Sequence, residues 1–314
     1  MKANSYQFYV NPQIDSNFQS GTCSENQIKT WFTTFKDKLS DVVHGEKDYV
    51  KLSKRLLLEN KKDFLLWDDL LKCGEMTFFA DHSPIEGPSI DFCCGYAFWT
   101  SYIFGKIDCG VDLFSDSGGY NRTIEGFAKQ DFIRNTYRSV LKSDVTGNLP
   151  LPSNFFRTVV SVCALEHIER ADLALQNMYR ILKPGGTLLI SLQTDKYIQK
   201  FTEIFNSTYV QRFRDDYNMH IDRSWESWKL LIERSGFNIQ STRFYFSKDE
   251  TAMHALSFWE KPTNPIFNQL QLGKLIREVP EVCEHYFEQV RRWCSTEASA
   301  DQASLVCFSC TKKK

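Results

Sequence analysis

Ser89-Ile90-Asp91-Phe92-Cys93-Cys94-Gly95-Tyr96-Ala97 is a short apolar run that closes on a turn of small residues, and it marks a change of texture in this 314-residue chain. Before it, apolar residues recur at helical spacing. After it, short apolar runs alternate with helical patterns, as a sheet buried on both faces demands. Seven runs read as strands: Ser89 to Cys94, Ile107 to Asp112, Arg138 to Ser143, Thr158 to Cys163, Thr187 to Leu192, Ile239 to Ser247 and Ser304 to Thr311. The expected fold is α/β, a seven-stranded and mostly parallel sheet with helices on both faces.

Upstream, residues 1–87 read as a helical cap. Ser24 and Gln27 have capping-box spacing, and Ile28, Trp31, Phe32, Phe35, Leu39 and Val42 follow with helical period. A second apolar stretch, Phe64, Leu65, Trp67, Leu70 and Leu71, ends near Cys73-Gly74. Pro84, Gly87 and Pro88 then break regular structure, so the main domain is expected over 88–314. Within it, a helix from about Asp172 stops at Lys183-Pro184-Gly185-Gly186, and another runs from Ser224 to Gly236. Two segments fall outside the alternation, 194–223 and 248–303, the latter with a helix expected through Leu275 to Trp293. Insertions after strands commonly build lids and acceptor pockets.

Lys and Arg number 38 against 39 Asp and Glu, so the chain lacks the positive field of a nucleic-acid binder. No apolar run approaches the roughly 18–20 residues of a membrane span, and no signal peptide precedes the ten cysteines. Reduced thiols in a cytoplasmic protein are expected. A metal centre is not. Cys93 and Cys94 are adjacent, and Cys307 and Cys310 should face opposite sides of one strand.

In an open α/β sheet a ligand lies beyond the carboxyl ends of the strands, where strand residues give way to loop. The first such end is the turn above, whose small residues let backbone approach a ligand; a tight strand-to-helix connection is the alternative. The second end carries Asp112-Leu113, a carboxylate suited to two ribose hydroxyls and about twenty residues beyond the first strand. The third carries Ser143-Asp144-Val145, where a carboxylate can accept an adenine amino proton or simply cap a turn.

These ends, with Leu149 to Pro152, Leu165-Glu166-His167 and Ile181-Leu182-Lys183-Pro184-Gly185-Gly186, stand in an order that resembles the class I, Rossmann-like S-adenosylmethionine-dependent methyltransferases. The resemblance covers about residues 88–192. It implies S-adenosylmethionine as cofactor: Asp112 at the ribose, Asp144 at adenine, Leu113 and Val145 on the faces of the base, and the Asp91 to Ala97 turn at the methionine portion. In that turn Asp91, Phe92, Cys93, Gly95 and Ala97 are the candidates, and Cys163 adds backbone at the end of the fourth strand. Cys93 and Ala97 depart from the family, which usually has glycine at both places.

Methyl transfer is an in-line displacement that positioning alone can accelerate, so a general base is optional. His167 and His220 are the candidates. Tyr217, Trp225 and Trp228 can wall a pocket, although the two tryptophans have the spacing of core residues. No Asn/Asp-Pro-Pro-Tyr/Phe sequence follows the fourth strand, which argues against enzymes that methylate the amino groups of bases or glutamine. The expected function is methylation of an O or N atom of a small-molecule acceptor, with no nucleic acid and no membrane as partner. A protein or peptide methyltransferase and a non-catalytic scaffold are the alternatives.

Overall fold

The computed structural model describes residues 5–39, 45–59, 66–95, 98–114, 136–219, 222–257 and 269–313. Its strands are β1 (Ser5–Val10), β2 (Gly21–Ser24), β3 (Ser89–Phe92), β4 (Ile107–Asp112), β5 (Tyr137–Lys142), β6 (Phe156–Val162), β7 (Leu182–Gln193), β8 (Phe237–Tyr245) and β9 (Leu305–Lys312). They form one sheet in the order β2-β1-β5-β4-β3-β6-β7-β9-β8. The five central strands, β5-β4-β3-β6-β7, pair in parallel, and every pairing outside them is antiparallel.

All seven expected strands are present, but the sheet is larger and more mixed than expected. The first 87 residues are not wholly helical, because β1 and β2 extend the sheet by pairing β1 antiparallel to β5. Phe8 and Val10 bury while Gln7 and Tyr9 stay half-exposed. That alternation is the period of a strand with one face in a core, hidden among polar neighbours.

Helices follow the chain as α1 (Glu25–Thr34), α2 (Tyr49–Lys54), α3 (Leu66–Asp81), α4 (Phe98–Phe104), α5 (Ala171–Ile181) and α6 (Asp195–Ile204). Beyond them lie α7 (Ser207–Tyr217), α8 (Trp225–Arg234), α9 (Lys248–Ser257), α10 (Gln269–Glu278) and α11 (Pro280–Ser295). The capping box forms as read: the Gln27 side chain accepts from Ser24 N at 2.8 Å, and Ser24 Oγ accepts from Gln27 N at 3.3 Å. The single helix expected through Leu275 to Trp293 is instead two, because Pro280 begins a new helix at a position that needs no N–H partner.

One face of the sheet packs Phe92, Val159, Ile190 and Phe308 under α1, α5 and α8. The other packs Val160, Leu189, Leu305 and Cys307 under α3, α6, α9 and α11. Cys307 and Cys310 accordingly lie in different cores. Trp228 is fully buried and donates to the Gln193 carbonyl at 2.9 Å, and Trp225 packs edge-on against Phe244. On the second face, Asp69 of α3 accepts hydrogen bonds from Tyr49 (2.7 Å) and Ser53 (2.7 Å) of α2 and from Tyr286 (2.6 Å) of α11, tying early helices to a late one.

Among the described residues no helix is long and apolar enough to cross a membrane. The strand order reverses at β3, which lies between β4 and β6. A reversal of this kind opens a crevice at the carboxyl ends of these strands.

Candidate active site

At that crevice the chain after β3 folds over the end of β4. Cys93 and Cys94 both donate to the Val111 carbonyl, at 2.8 and 3.1 Å, and Gly95 N donates to Asp112 Oδ2 at 2.9 Å. Phe114 N donates to Asp112 Oδ1 at 3.1 Å. Each carboxylate oxygen retains a further lone-pair site, and the Asp112 side chain stays partly exposed. Leu113 beside it is 51% exposed, an apolar side chain left in the open at the mouth of the crevice. A Cβ built on Gly95 meets no atom within 4 Å, so there is free space against the backbone of this turn. A half-open carboxylate, an uncovered apolar residue and unfilled space along the turn fit an adenosyl ligand lying across β3 and β4.

Asp91 is buried and accepts from Tyr137 Oη at 2.5 Å. Burial pushes its pKa up to about 6, against the opposing effect of the tyrosine and Thr100 hydrogen bonds. Phe92 is fully buried in the core beneath α1 and α5, so only its backbone can face a ligand. Asp144 is exposed, and its Oδ1 accepts from Thr146 N (2.8 Å) and Thr146 Oγ1 (2.7 Å). Val145 beside it is buried. The half-buried Cys93 has its thiol pushed well up, first by desolvation and then by the charges of Asp112, Asp91, Glu166 and Asp144. All four carboxyl groups thus act on this one turn. Ala97 and His220 lie outside the described residues.

Three non-glycine residues at these strand ends adopt left-handed backbone: Cys93 (φ 64°), Phe114 (φ 46°) and Cys163 (φ 44°). Such conformations cost an L-residue about 1–2 kcal/mol each and cluster at functional sites. Cys163, expected to contribute backbone rather than its thiol, also uses its side chain: the thiol donates to Glu75 Oε1 at 2.9 Å. His167 is partly exposed, with Nδ1 3.4 Å from the Asn218 carbonyl beyond α7.

Lys72, Glu75 and Ser191 had no part in the sequence reading, and Glu166 entered it only within the Leu165-Glu166-His167 motif. Lys72 and Glu75 are buried on α3, 2.6 Å apart, and the Glu75 carboxylate reaches across to Cys163 after β6 and Ser191 on β7. The available signal was a Lys-x-x-Glu pair set into the mostly apolar run from Leu70 to Ala80 of α3. Among the described residues, no group of three or more His, Cys, Asp or Glu side chains is arranged to hold a metal ion.

Comparison with known proteins places this crevice in a family. Residues 90–190 match the family model described as a methyltransferase domain. A demethylmenaquinone methyltransferase of Staphylococcus haemolyticus is 24% identical over 190 residues, 55% of this chain and 77% of that protein. A ubiquinone/menaquinone biosynthesis C-methyltransferase of Neisseria meningitidis is 50% identical over 42 residues, which span 13% of this chain and only 17% of the relative's length. Among solved structures, a SAM-dependent methyltransferase of Thermotoga maritima, described as a possible histamine N-methyltransferase, aligns with a TM-score of 0.49 at 18% identity, covering 85% of this chain and 100% of that one. Residues 90–190 thus form a methyltransferase domain of the class I, Rossmann-like, S-adenosylmethionine-dependent kind.

Proposed function

We propose that this chain transfers a methyl group from S-adenosylmethionine to an O or N atom of a small-molecule acceptor. The observation that carries the reading is the Asp112 carboxylate, held by two backbone N–H groups at the switch point and still open to solvent beside the uncovered Leu113. In this reading Asp112 accepts from the ribose hydroxyls and Asp144 from the adenine amino group. Leu113 and Val145 contact the base, and the turn from Asp91 through Phe92, Cys93 and Gly95 to Ala97 runs along the methionine portion, with Cys163 adding backbone.

When bound, the donor supplies an electrophilic methyl on a sulfonium. The chain's task is then to hold the acceptor in line, roughly 3–3.5 Å from that carbon, and to keep water out. The segment 1–87 and the insertions 194–223 and 248–303 supply that cover, and His167 and His220 are the histidines available to take a proton. Methylation at carbon is the second reading, favoured by the names of the quinone-methylating relatives.

Calorimetric titration with S-adenosylhomocysteine tests the donor site. Micromolar binding by the wild type is expected, with a loss of at least tenfold in Asp112→Ala. A folded wild type that does not bind excludes the reading.

A further inference from the structure

Glu166 stands in the short 3-10 turn Leu165–His167 that follows β6. It is fully buried, and neither carboxyl oxygen has a hydrogen-bond partner. Its neighbour Glu75 is satisfied on both sides: Oε1 accepts from Cys163 Sγ and Ser191 Oγ, and Oε2 pairs with Lys72 Nζ. The groups that act electrostatically on Glu166 are His167, Glu75 and Lys72, and Glu166 in turn acts on the thiols of Cys93 and Cys163. Because β6 pairs in parallel with β3, the turn that carries Glu166 stands beside the turn after β3, and the Lys72 and Glu75 groups that act on it belong to α3. In the reading proposed above, the turn after β3 runs along the methionine end of the donor, where the transferred methyl must meet its acceptor.

A buried polar group without a partner is costly and rare, and in a native protein it calls for an explanation. Here the surroundings select one. Two carboxyl groups face one ammonium, so an anionic acceptor group is disfavoured and a hydrogen-bond donor is favoured. We propose that Glu166 receives the hydroxyl or amine hydrogen of the methyl acceptor and takes its proton, while Lys72 and Glu75 fix the wall against which that group is seated. The acceptor's O–H or N–H bond breaks with the proton passing to the Glu166 carboxylate. The electron pair left on oxygen or nitrogen forms the new bond to carbon, and the sulfur–methyl pair returns to sulfur, leaving S-adenosylhomocysteine. Desolvation raises the Glu166 pKa above the usual carboxylate range, with Glu75 adding to the rise and His167, the residue's own backbone N–H and Lys72 opposing it, which makes it a stronger proton acceptor than a free carboxylate. Glu166 is fully buried, so the side chains that cover it move aside when the acceptor binds, as rotamers at binding sites commonly do.

The assignment rests on the methyl-transfer reading, so the test separates the two. With the full chain saturated in S-adenosylhomocysteine, ligand-observed NMR compares phenol and aniline with anisole and toluene, for the wild type and for Glu166→Gln and Glu166→Leu. The wild type is expected to prefer the donor-bearing probes by tenfold or more, and Glu166→Leu to lose that preference. Both variants should melt no lower than the wild type and bind S-adenosylhomocysteine within twofold of it. A wild type without the preference, or Glu166→Leu with it intact, overturns the assignment. A tenfold loss of S-adenosylhomocysteine affinity in Glu166→Leu, with the probe preference unchanged, also overturns it by giving the carboxylate to the donor's α-amino group. A wild type that fails to bind S-adenosylhomocysteine at all fails the methyl-transfer reading first.

Discussion

Cys93 carries a side chain where the local backbone favours none. At φ 64° its Cβ crowds the neighbouring carbonyl, a conformation that costs about 1–2 kcal/mol and that glycine adopts freely. The family's usual glycine here answers to this geometry, so the departure read in the sequence is a substitution into an unchanged turn. Cys93→Gly is therefore expected to stabilise the chain by about 1 kcal/mol, raising the melting temperature by roughly 2–4 °C. Cys93→Val, whose branched Cβ tolerates the left-handed region least, should lower it. Differential scanning fluorimetry on both variants decides the matter: equal shifts would mean that the thiol's packing, and not the backbone, sets the energy at this site. At the same scale, Asp112 and Asp144 were legible because a carboxylate at a strand end is visible in the linear sequence. Glu75 was not, because a Lys-x-x-Glu pair on a helix reads as a surface ion pair until the fold buries it.

Among the elements, the parallel strands were the most legible, since burial on both faces leaves short apolar runs between turns. β4 begins and ends where the sequence placed it. β1 was hidden because an outer strand with one buried face leaves only alternate positions apolar, and the α10–α11 break was hidden because a proline inside a periodic pattern was read through. The helix that matters most to the proposed acceptor wall is α3, and its seat depends on a glycine. A Cβ on Gly74 would run into the ring of the buried Tyr245 on β8. That ring cannot swing clear, because Arg243 Nη1 donates to its hydroxyl at 3.3 Å and the second core encloses it. Gly74→Ala should gain helix propensity yet lose about 1–3 kcal/mol from overpacking, read by urea unfolding. Because Lys72 and Glu75 ride on the same turn of α3, the variant should also weaken the Glu75 bonds to Cys163 and Ser191. A Gly74→Ala protein as stable as the wild type would show that α3 is not seated by this contact.

For the whole molecule, three buried carboxyl groups tie distant parts of the chain together and make stability depend on pH. Asp69 joins α2, α3 and α11, Asp91 underlies the proposed donor turn, and Asp108 receives Ser89 N at 2.7 Å and pairs with Arg138 at 3.3 Å. Burial raises each of them to about 6, with the hydrogen bonds at each site opposing the rise. A folded pKa above the unfolded value of about 3.9 means that the native state holds the proton more tightly. The stability these groups contribute is therefore fully present below about pH 4 and is lost as pH rises through about 6. The exposed carboxylates Glu203 and Glu288 shift the other way through surface lysine and arginine partners, but solvent screening leaves such pairs little weight. Urea unfolding should then give a more stable protein at pH 5.5 than at pH 7.5. Over the full titration Asp69 alone accounts for about 3 kcal/mol, its displacement of some two units at 1.36 kcal/mol each. In Asp69→Asn the amide can still accept from Tyr49, and the remaining hydroxyls can rotate to pair with it, so the fold should persist while its share of the pH slope disappears. An unchanged slope in Asp69→Asn would mean that this carboxyl does not titrate in the native state between those pH values.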